Sequence, residues 1–258
     1  MTEAAFFDLD KTIIAKSSTL AFTRPMFRAG MLSGTMLAKA GIAQAYYQAF
    51  GADHGQLERI RDELAGLVQG WSQDEVVALV EETVDEVVAP LVYAEALAII
   101  DQHKRDGRRV VVISASPEEI VRPLCGYLGI TDIIATRSEV DDDGIYTGNI
   151  DFYAYGPGKA EAMREMATTD EIDLDASYAY SDSITDLPML EAVGNPVVVN
   201  PDSDLAEIAE QRSWEVREFA SAVTLRDKLA TKEVAGAAVA TGIAAVLAYW
   251  ALKGRKSD

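Results

Sequence analysis

Phe6 to Ile14 reads FFDLDKTII, and two of its residues carry the first candidate chemistry. Asp8 and Asp10 leave the end of an apolar run with one residue between them. In a loop just past a strand, that spacing can bring both carboxylates to one pocket. A second acidic pair, Asp182 and Asp186, stands in SDSITDLP, again behind a short apolar run. Between the pairs come Ser114, behind VVVI, and Lys159, behind Gly156-Pro157-Gly158. Such a set suits phosphoryl transfer. Asp8 can attack phosphorus and form an aspartyl-phosphate. Asp10 can protonate the leaving oxygen and then deprotonate the water that hydrolyses the intermediate. Crowded carboxylates repel one another and an anionic substrate, and a hard divalent cation removes that conflict. Mg²⁺ takes one or two carboxylates with phosphate and water, which Asp8 and Asp182 would supply, with Asp186 supporting that shell. Lys159 and the Ser114 hydroxyl would hold the phosphoryl oxygens.

The elements that must position these residues follow a βα rhythm. Short β-branched or apolar runs occur at Ala4 to Phe7, Arg109 to Ile113, Ile133 to Ala135, Tyr178 to Tyr180 and Pro196 to Val199. Helix-length segments separate most of them, which predicts an α/β fold with a parallel sheet and crossover helices. In such sheets the active site lies beyond the carboxyl ends of the strands, where Asp8, Ser114 and Asp182 fall. Ser116-Pro117-Glu118-Glu119 reads as a helix start, with Ser116 as N-cap and Glu119 closing a capping box. Gly156-Pro157-Gly158-Lys159 opens another helix through about Ala167. Asp142-Asp143-Gly144 before Ile145-Tyr146-Thr147 predicts a hairpin turn. The stretch from about Lys16 to Ala89 lacks strand runs and reads as a helical insertion after the first strand, for example over Thr35 to Phe50 and Gln56 to Val68.

In this order, DLDKT (Asp8 to Thr12), Ser114, Lys159 and SDSITD (Ser181 to Asp186) resemble the four motifs of the haloacid dehalogenase superfamily of phosphohydrolases. The resemblance covers residues 4 to 200. It implies a Rossmann-like core, Mg²⁺, Asp8 as nucleophile and the Asp10 backbone carbonyl as a further metal contact. It also places Thr12, with Ser114 and Lys159, on the phosphate. Ser114 follows Asp8 by 106 positions, but Lys159 follows Ser114 by only 45. The cap is therefore expected in the first loop (C1 type) and helical, closing over the substrate. DDDGIYTGNI and GPGKAEAMREMA resemble the phosphoserine-phosphatase-like subfamily, IB. Three positions depart from phosphoserine phosphatases. Ser17 stands where their glutamate receives the substrate ammonium, and Thr185 where their fourth motif has asparagine. Glu63 stands near their carboxylate-gripping arginine, with Arg59 and Arg61 close by. The expected domains are a core of residues 1–15 and 90–222, a cap of 16–89 and a tail of 223–258.

Composition bounds the function. The 258 residues are 49% hydrophobic and 25% charged, ordinary for a globular chain. The 42 acidic and 23 basic residues give a net charge of −19, which argues against nucleic-acid binding. No protein partner is expected. One cysteine excludes an internal disulfide and a cysteine zinc cage. The acidic start, MTEAAFFDLDKT, lacks the basic stretch of a secretion signal and predicts a cytoplasmic catalytic domain. Residues 234–252 carry no charge and are followed by Lys253, Arg255 and Lys256. That length predicts a C-terminal membrane-anchoring helix, with Tyr249-Trp250 at an interface and eight alanines limiting its hydrophobicity. A small phosphate ester is the expected substrate. Lipid head-group or lysolipid phosphates are the alternative, and a catalytically idle phosphate-binding scaffold the alternative of another class.

The plainer readings concern the remaining residues. Asp8 to Thr12 lacks the later glycine and glutamate of a calcium loop. A receiver domain would need neither a cap nor the pair Asp182 and Asp186. Asp141 to Asp143 reads as a solvated turn, His54 and His103 as surface residues, and Cys125 as a buried structural thiol. Trp71, Tyr46, Tyr47 and Phe50 read as cap core. Arg24 and Arg28, like Arg59 and Arg61, read as solvated helix faces that could also contact the substrate beyond its phosphate.

Overall fold

A computed structural model describes residues 2–34 and 65–220. The chain divides after Leu225 into two compact units, and the second lies wholly outside the described residues. The tail stretch 234–252 and residues 35–64 of the helical insertion, with His54, Arg59, Arg61 and Glu63, also lie outside them. Among the described residues no helix is long and apolar enough to cross a membrane.

A seven-stranded sheet organises the first unit, in the order β4-β3-β2-β1-β5-β6-β7. The strands are β1 (Ala4–Phe7), β2 (Arg109–Pro117), β3 (Asp132–Val140), β4 (Tyr146–Phe152), β5 (Tyr178–Ser181), β6 (Asn195–Val199) and β7 (Glu215–Arg217). All pairs are parallel except β3 with β4, the hairpin expected around Asp142. In that turn the Asp141 side chain accepts from the backbone N–H groups of Asp143 and Ile145. The expected alternation of strands and crossover helices is present.

Side-chain alternation along β1 explains why its apolar run is continuous. Ala5 and Phe7 face one layer, with Val110, Val112 and Tyr180; Ala4 and Phe6 face the other, with Val111, Ile113 and Ala179. The helices α3 (Gln73–Val88), α4 (Ala94–Arg105) and α5 (Glu118–Tyr127) pack on the first layer. On the second pack α6 (Pro157–Thr169), α7 (Leu187–Leu190) and α8 (Ser203–Arg212). Before them come α1 (Ser18–Ala21) and α2 (Thr23–Arg28). Helix α3 shows why a helix forms in the expected insertion. Val76, Val80, Val84 and Val88 recur every fourth residue and are buried, and the Ser72 hydroxyl accepts from Glu75 N–H at its start.

The chain leaves and re-enters the sheet at one place. Ala15 N–H donates to Leu91 O at 2.8 Å, and Tyr93 N–H donates to Ile13 O at 2.9 Å. Ala15 and Leu91 thus form a pinned neck immediately after Asp8 and Asp10, while Gly70 N–H and Gln73 N–H bond to Tyr146 O and Gly144 O of the β3–β4 hairpin and α3 packs on the first layer.

Three local expectations are corrected. β2 does not end at Ile113 but continues to Pro117 through an irregularity: Ser114 pairs with Ala135, yet Pro117 pairs with Thr136, the next residue of β3. Two residues of β2 are looped out there, and Thr136 Oγ1 holds the loop by donating to Ala115 O at 2.8 Å. Helix α5 is capped at Pro117, without a side-chain bond, so Ser116 is not its N-cap. Glu119 binds the Gln73 side chain instead of closing a capping box.

His103 is the third correction, because it is buried and not a surface residue. Arg108 donates to Nδ1, and an arginine can only donate, so Nδ1 is the unprotonated nitrogen. Nε2 then carries the proton and donates to the Tyr180 hydroxyl at 2.8 Å. Burial and the Arg108 charge push the imidazole down from 6.5 to about 4. A group lowered on folding gives stability above its unfolded value and loses it as pH falls through its folded value. Melting temperatures should therefore fall between about pH 6.5 and 4, and His103→Gln should flatten that part of the profile. An identical slope in the variant would show that other groups cause it.

Candidate active site

Three strand ends and one helix start meet around Asp8. It follows β1, and its N–H donates to Tyr180 O of β5 at 2.9 Å. Asp182 follows β5, and Asp186 ends the short 3₁₀ turn Ile184–Asp186 behind it. Lys159 stands in the first turn of α6, which Gly156 and Pro157 begin. Gly158 beside it has no room for a side chain, since a Cβ would lie 2.6 Å from Tyr153 O. The helix start is thereby held close, and Lys159 is aimed into the sheet end.

Lys159 is 2% exposed. Its Nζ donates to Asp8 Oδ1 at 2.5 Å and to Asp186 Oδ2 at 2.8 Å. The Ser181 hydroxyl donates to the same Asp186 oxygen at 2.7 Å. Asp186, read from the sequence as support for a metal shell, here grips the lysine. Asp182 has the exposed Lys11 ammonium at 3.8 Å, and its backbone carbonyl accepts from Asp202 N–H. Asp202 also takes N–H bonds from Ile184 and Leu205 on its two carboxylate oxygens, tying this loop to the start of α8.

Asp10 is held on another side. Oδ1 accepts from Ser18 N–H at 2.8 Å, and Oδ2 accepts from the Ser116 hydroxyl at 3.1 Å. Ser114, fully buried at the end of the apolar part of β2, accepts from Ser116 N–H. Thr12 is also buried, and its hydroxyl has no protein partner. Every candidate site residue from the sequence therefore falls at this end of the sheet. Reasoning from the sequence gave no site role to Ser18, Ser116 and Asp202, and placed Ser181 in the SDSITD motif without its bond to Asp186. Only the SxS spacing of Ser114 and Ser116 hinted at one of them.

The electrostatics are lopsided. Burial pushes the Asp8 carboxyl up to about 8; Lys159 pulls it down, while Asp186, Asp182 and Asp10 push it further up. Burial raises Asp10, against the Ser18 and Ser116 hydrogen bonds. Burial also raises Asp182 to about 6, with Lys11 opposing. Burial works against the Lys159 charge, but Asp8 and Asp186 outweigh it and hold the ammonium protonated. Four carboxylates thus share one buried lysine, and the site lacks positive charge. Among the described residues no three metal-ligating side chains already converge on one point. Mg²⁺ does not require that, because it keeps several waters and takes one or two carboxylates. Asp8 and Asp182, at the ends of neighbouring strands, fit such a donor set.

Ser17, in the place of a phosphoserine phosphatase glutamate, caps α1 by accepting from Leu20 N–H, and Thr185 pairs with the Ser183 hydroxyl. Arg24 and Arg28 are exposed. A cavity of about 890 Å³ lies between α3, α5 and the β3–β4 hairpin, lined by Gln73, Val84, Glu119, Arg122 and Arg137 among others. It contains none of the candidate residues.

The sequence model of haloacid dehalogenase-like hydrolases matches residues 5–191, which span every one of these residues. The chain belongs to that family. It is similar to a probable phosphatase of Mycobacterium tuberculosis, 51% identical over 247 residues, covering 95% of this chain and 86% of the relative. It is also similar to a phosphoserine phosphatase of the same organism, 34% identical over 221 residues, covering 85% of this chain and 71% of the relative. A solved phosphoserine phosphatase in its apo form shares the fold with a TM-score of 0.59 at 18% identity, covering 90% of this chain and 100% of its own. Family and relatives together place the chain among phosphatases, on the phosphoserine-phosphatase-like side.

Proposed function

We propose that the chain is a Mg²⁺-dependent phosphomonoesterase that works through an aspartyl-phosphate on Asp8 and acts on a small phosphorylated metabolite. The observation that carries the reading is the buried Asp8–Lys159–Asp186 group at the strand ends. It sets a nucleophile beside a buried cation that can neutralise a phosphoryl oxygen. Mg²⁺ fits the Asp8 and Asp182 carboxylates with the Asp10 carbonyl, and when bound it would offset the negative charge of substrate and site.

The residues divide the work. An Asp8 oxygen forms a bond to phosphorus as the ester P–O bond breaks, and Asp10 gives its proton to the departing oxygen. Asp10, now a carboxylate, takes a proton from water, which attacks phosphorus and breaks the bond to Asp8. Lys159 and Ser114 hold the phosphoryl oxygens throughout. The unpartnered Thr12 hydroxyl is a further donor for this end of the site. Residues 16–89 act as the cap and exclude water when closed.

The uncharged stretch 234–252 supports a membrane tether, with lipid-derived phosphate esters as the second substrate class. The full chain should release phosphate from at least one of phosphoserine, sugar phosphates, glycerol phosphate or lysophosphatidate, and chelator should stop it. Mg²⁺ should also raise the melting temperature, because it binds the folded state. A folded chain that binds Mg²⁺ yet hydrolyses none of these esters would favour the scaffold reading.

A further inference from the structure

We infer that Ser116 is a positioning residue for Asp10: its hydroxyl, presented by the β2 irregularity and backed by Ser18, fixes the carboxyl that serves the leaving group. This rests on the phosphatase reading above and deepens it.

The geometry is specific. A regular β2 would continue its pairing with β3 residue by residue. Instead the register jumps from Ser114–Ala135 to Pro117–Thr136, and the looped-out Ala115-Ser116 is anchored by Thr136. Irregularities of this kind re-aim side chains next to active sites. Here the result is a chain of hydroxyl donors. Ser18 Oγ donates to Ser116 Oγ at 2.8 Å, and Ser116 Oγ donates to Asp10 Oδ2 at 3.1 Å. Thr19 Oγ1 adds a contact to Ser116 Oγ at 3.1 Å. The other Asp10 oxygen takes Ser18 N–H. Ser18 is fully buried and Ser116 nearly so, so water does not compete for these bonds.

Ser18 opens α1, on the far side of the neck from the sheet, whereas Ser116 belongs to β2. Asp10 is therefore gripped from both the core and the segment that follows it. Its carboxyl plane is set by two donors, which leaves the outer lone pairs for the proton it passes to the leaving oxygen. When the Asp8–phosphorus bond forms and the ester P–O bond breaks, that proton travels from Asp10 to the departing alkoxide. A misaimed Asp10 slows this step only where the departing oxygen needs a proton.

Leaving-group dependence supplies the test, read as kcat/KM on the full chain with Mg²⁺, because kcat/KM covers the steps through ester cleavage. Wild type, Ser116→Ala and Ser116→Thr are compared on the best alkyl phosphate of the panel and on 4-nitrophenyl phosphate, whose phenolate leaves unprotonated. Ser116→Ala should lose about 10- to 100-fold on the alkyl ester and less than about threefold on the aryl ester. Ser116→Thr, which keeps the hydroxyl, should retain more alkyl-ester activity than Ser116→Ala. Equal losses on both esters, or no loss on either, would overturn the inference. If Ser116→Ala fails to fold, Ser116→Cys replaces it, with similar volume and a weak donor, under the same two outcomes. A wild-type chain inert on every ester would overturn the phosphatase reading itself, a result distinct from either.

Discussion

Asp8→Asn should fold normally and lose at least about 10³-fold in turnover on every ester the wild type accepts. An amide oxygen is a poor nucleophile, and no neighbouring group can replace Asp8. Lys159 already bridges Asp8 and Asp186, and Asp10 is held by Ser18 and Ser116. Stability should change in a direction that separates this from simple damage. The folded Asp8 carboxyl sits at about 8, above its ordinary 3.8, mainly through burial. A group raised on folding favours the folded state at low pH and loses that contribution as pH rises through its folded value. Asparagine does not titrate, so the metal-free variant should show a flatter stability profile between about pH 4 and 8. Stopped-assay phosphate release and urea titrations at several pH values read both effects. A variant that keeps a tenth of wild-type turnover would remove Asp8 from the role of nucleophile.

Lys159→Met has the second largest expected effect, and it acts on stability as well as on turnover. Methionine matches the length of the lysine stem but leaves Asp8 and Asp186 without their shared buried cation. Removing one partner of a buried ion pair typically costs about 3–5 kcal/mol. The metal-free variant should lose about 3 kcal/mol, because the carboxyls can protonate and relieve part of the strain. Mg²⁺ should recover some of that loss through its preference for the folded site. Turnover should fall by at least about 10²-fold even with Mg²⁺, since the phosphoryl oxygens lose a fixed charge. Urea midpoints with and without Mg²⁺ measure the first, and phosphate release the second. A variant as stable as wild type without metal would contradict the burial argument.

Much of this was legible in the sequence because it is local. A short apolar run ending in a polar residue marks a parallel strand and the end that carries chemistry, and β1, the first part of β2 and β5 each show it. The Gly-Pro-Gly before Lys159 marks a helix start, and Gly158 proved tight for the reason such glycines are kept, a close backbone approach. The family resemblance drawn from four motifs is matched by the family model across residues 5–191.

What was not legible depends on tertiary structure. Ser116 before a proline and two glutamates has the form of a helix cap, and nothing local distinguishes a cap from a hydroxyl turned toward Asp10. The difference lies in the register jump against β3, more than a dozen residues away. His103 lies in a polar stretch of α4, and only its packing against Phe7, Tyr178 and Tyr180 buries it. Ser181 looked like the end of a strand and also anchors Asp186. The roles of Arg59, Arg61 and Glu63 and of residues 234–252 lie outside the described residues.

The most direct measurement is to trap the phosphoryl group on the protein. Asp10→Asn slows activation of water more than attack by Asp8 when the leaving group is 4-nitrophenolate. Rapid quenching of that variant with 4-nitrophenyl phosphate, followed by peptide mapping, should place one phosphoryl group on the peptide that contains Asp8. Turnover by the wild type with no phosphoryl group found on Asp8, or with one found on Ser114 or another residue, would contradict the account.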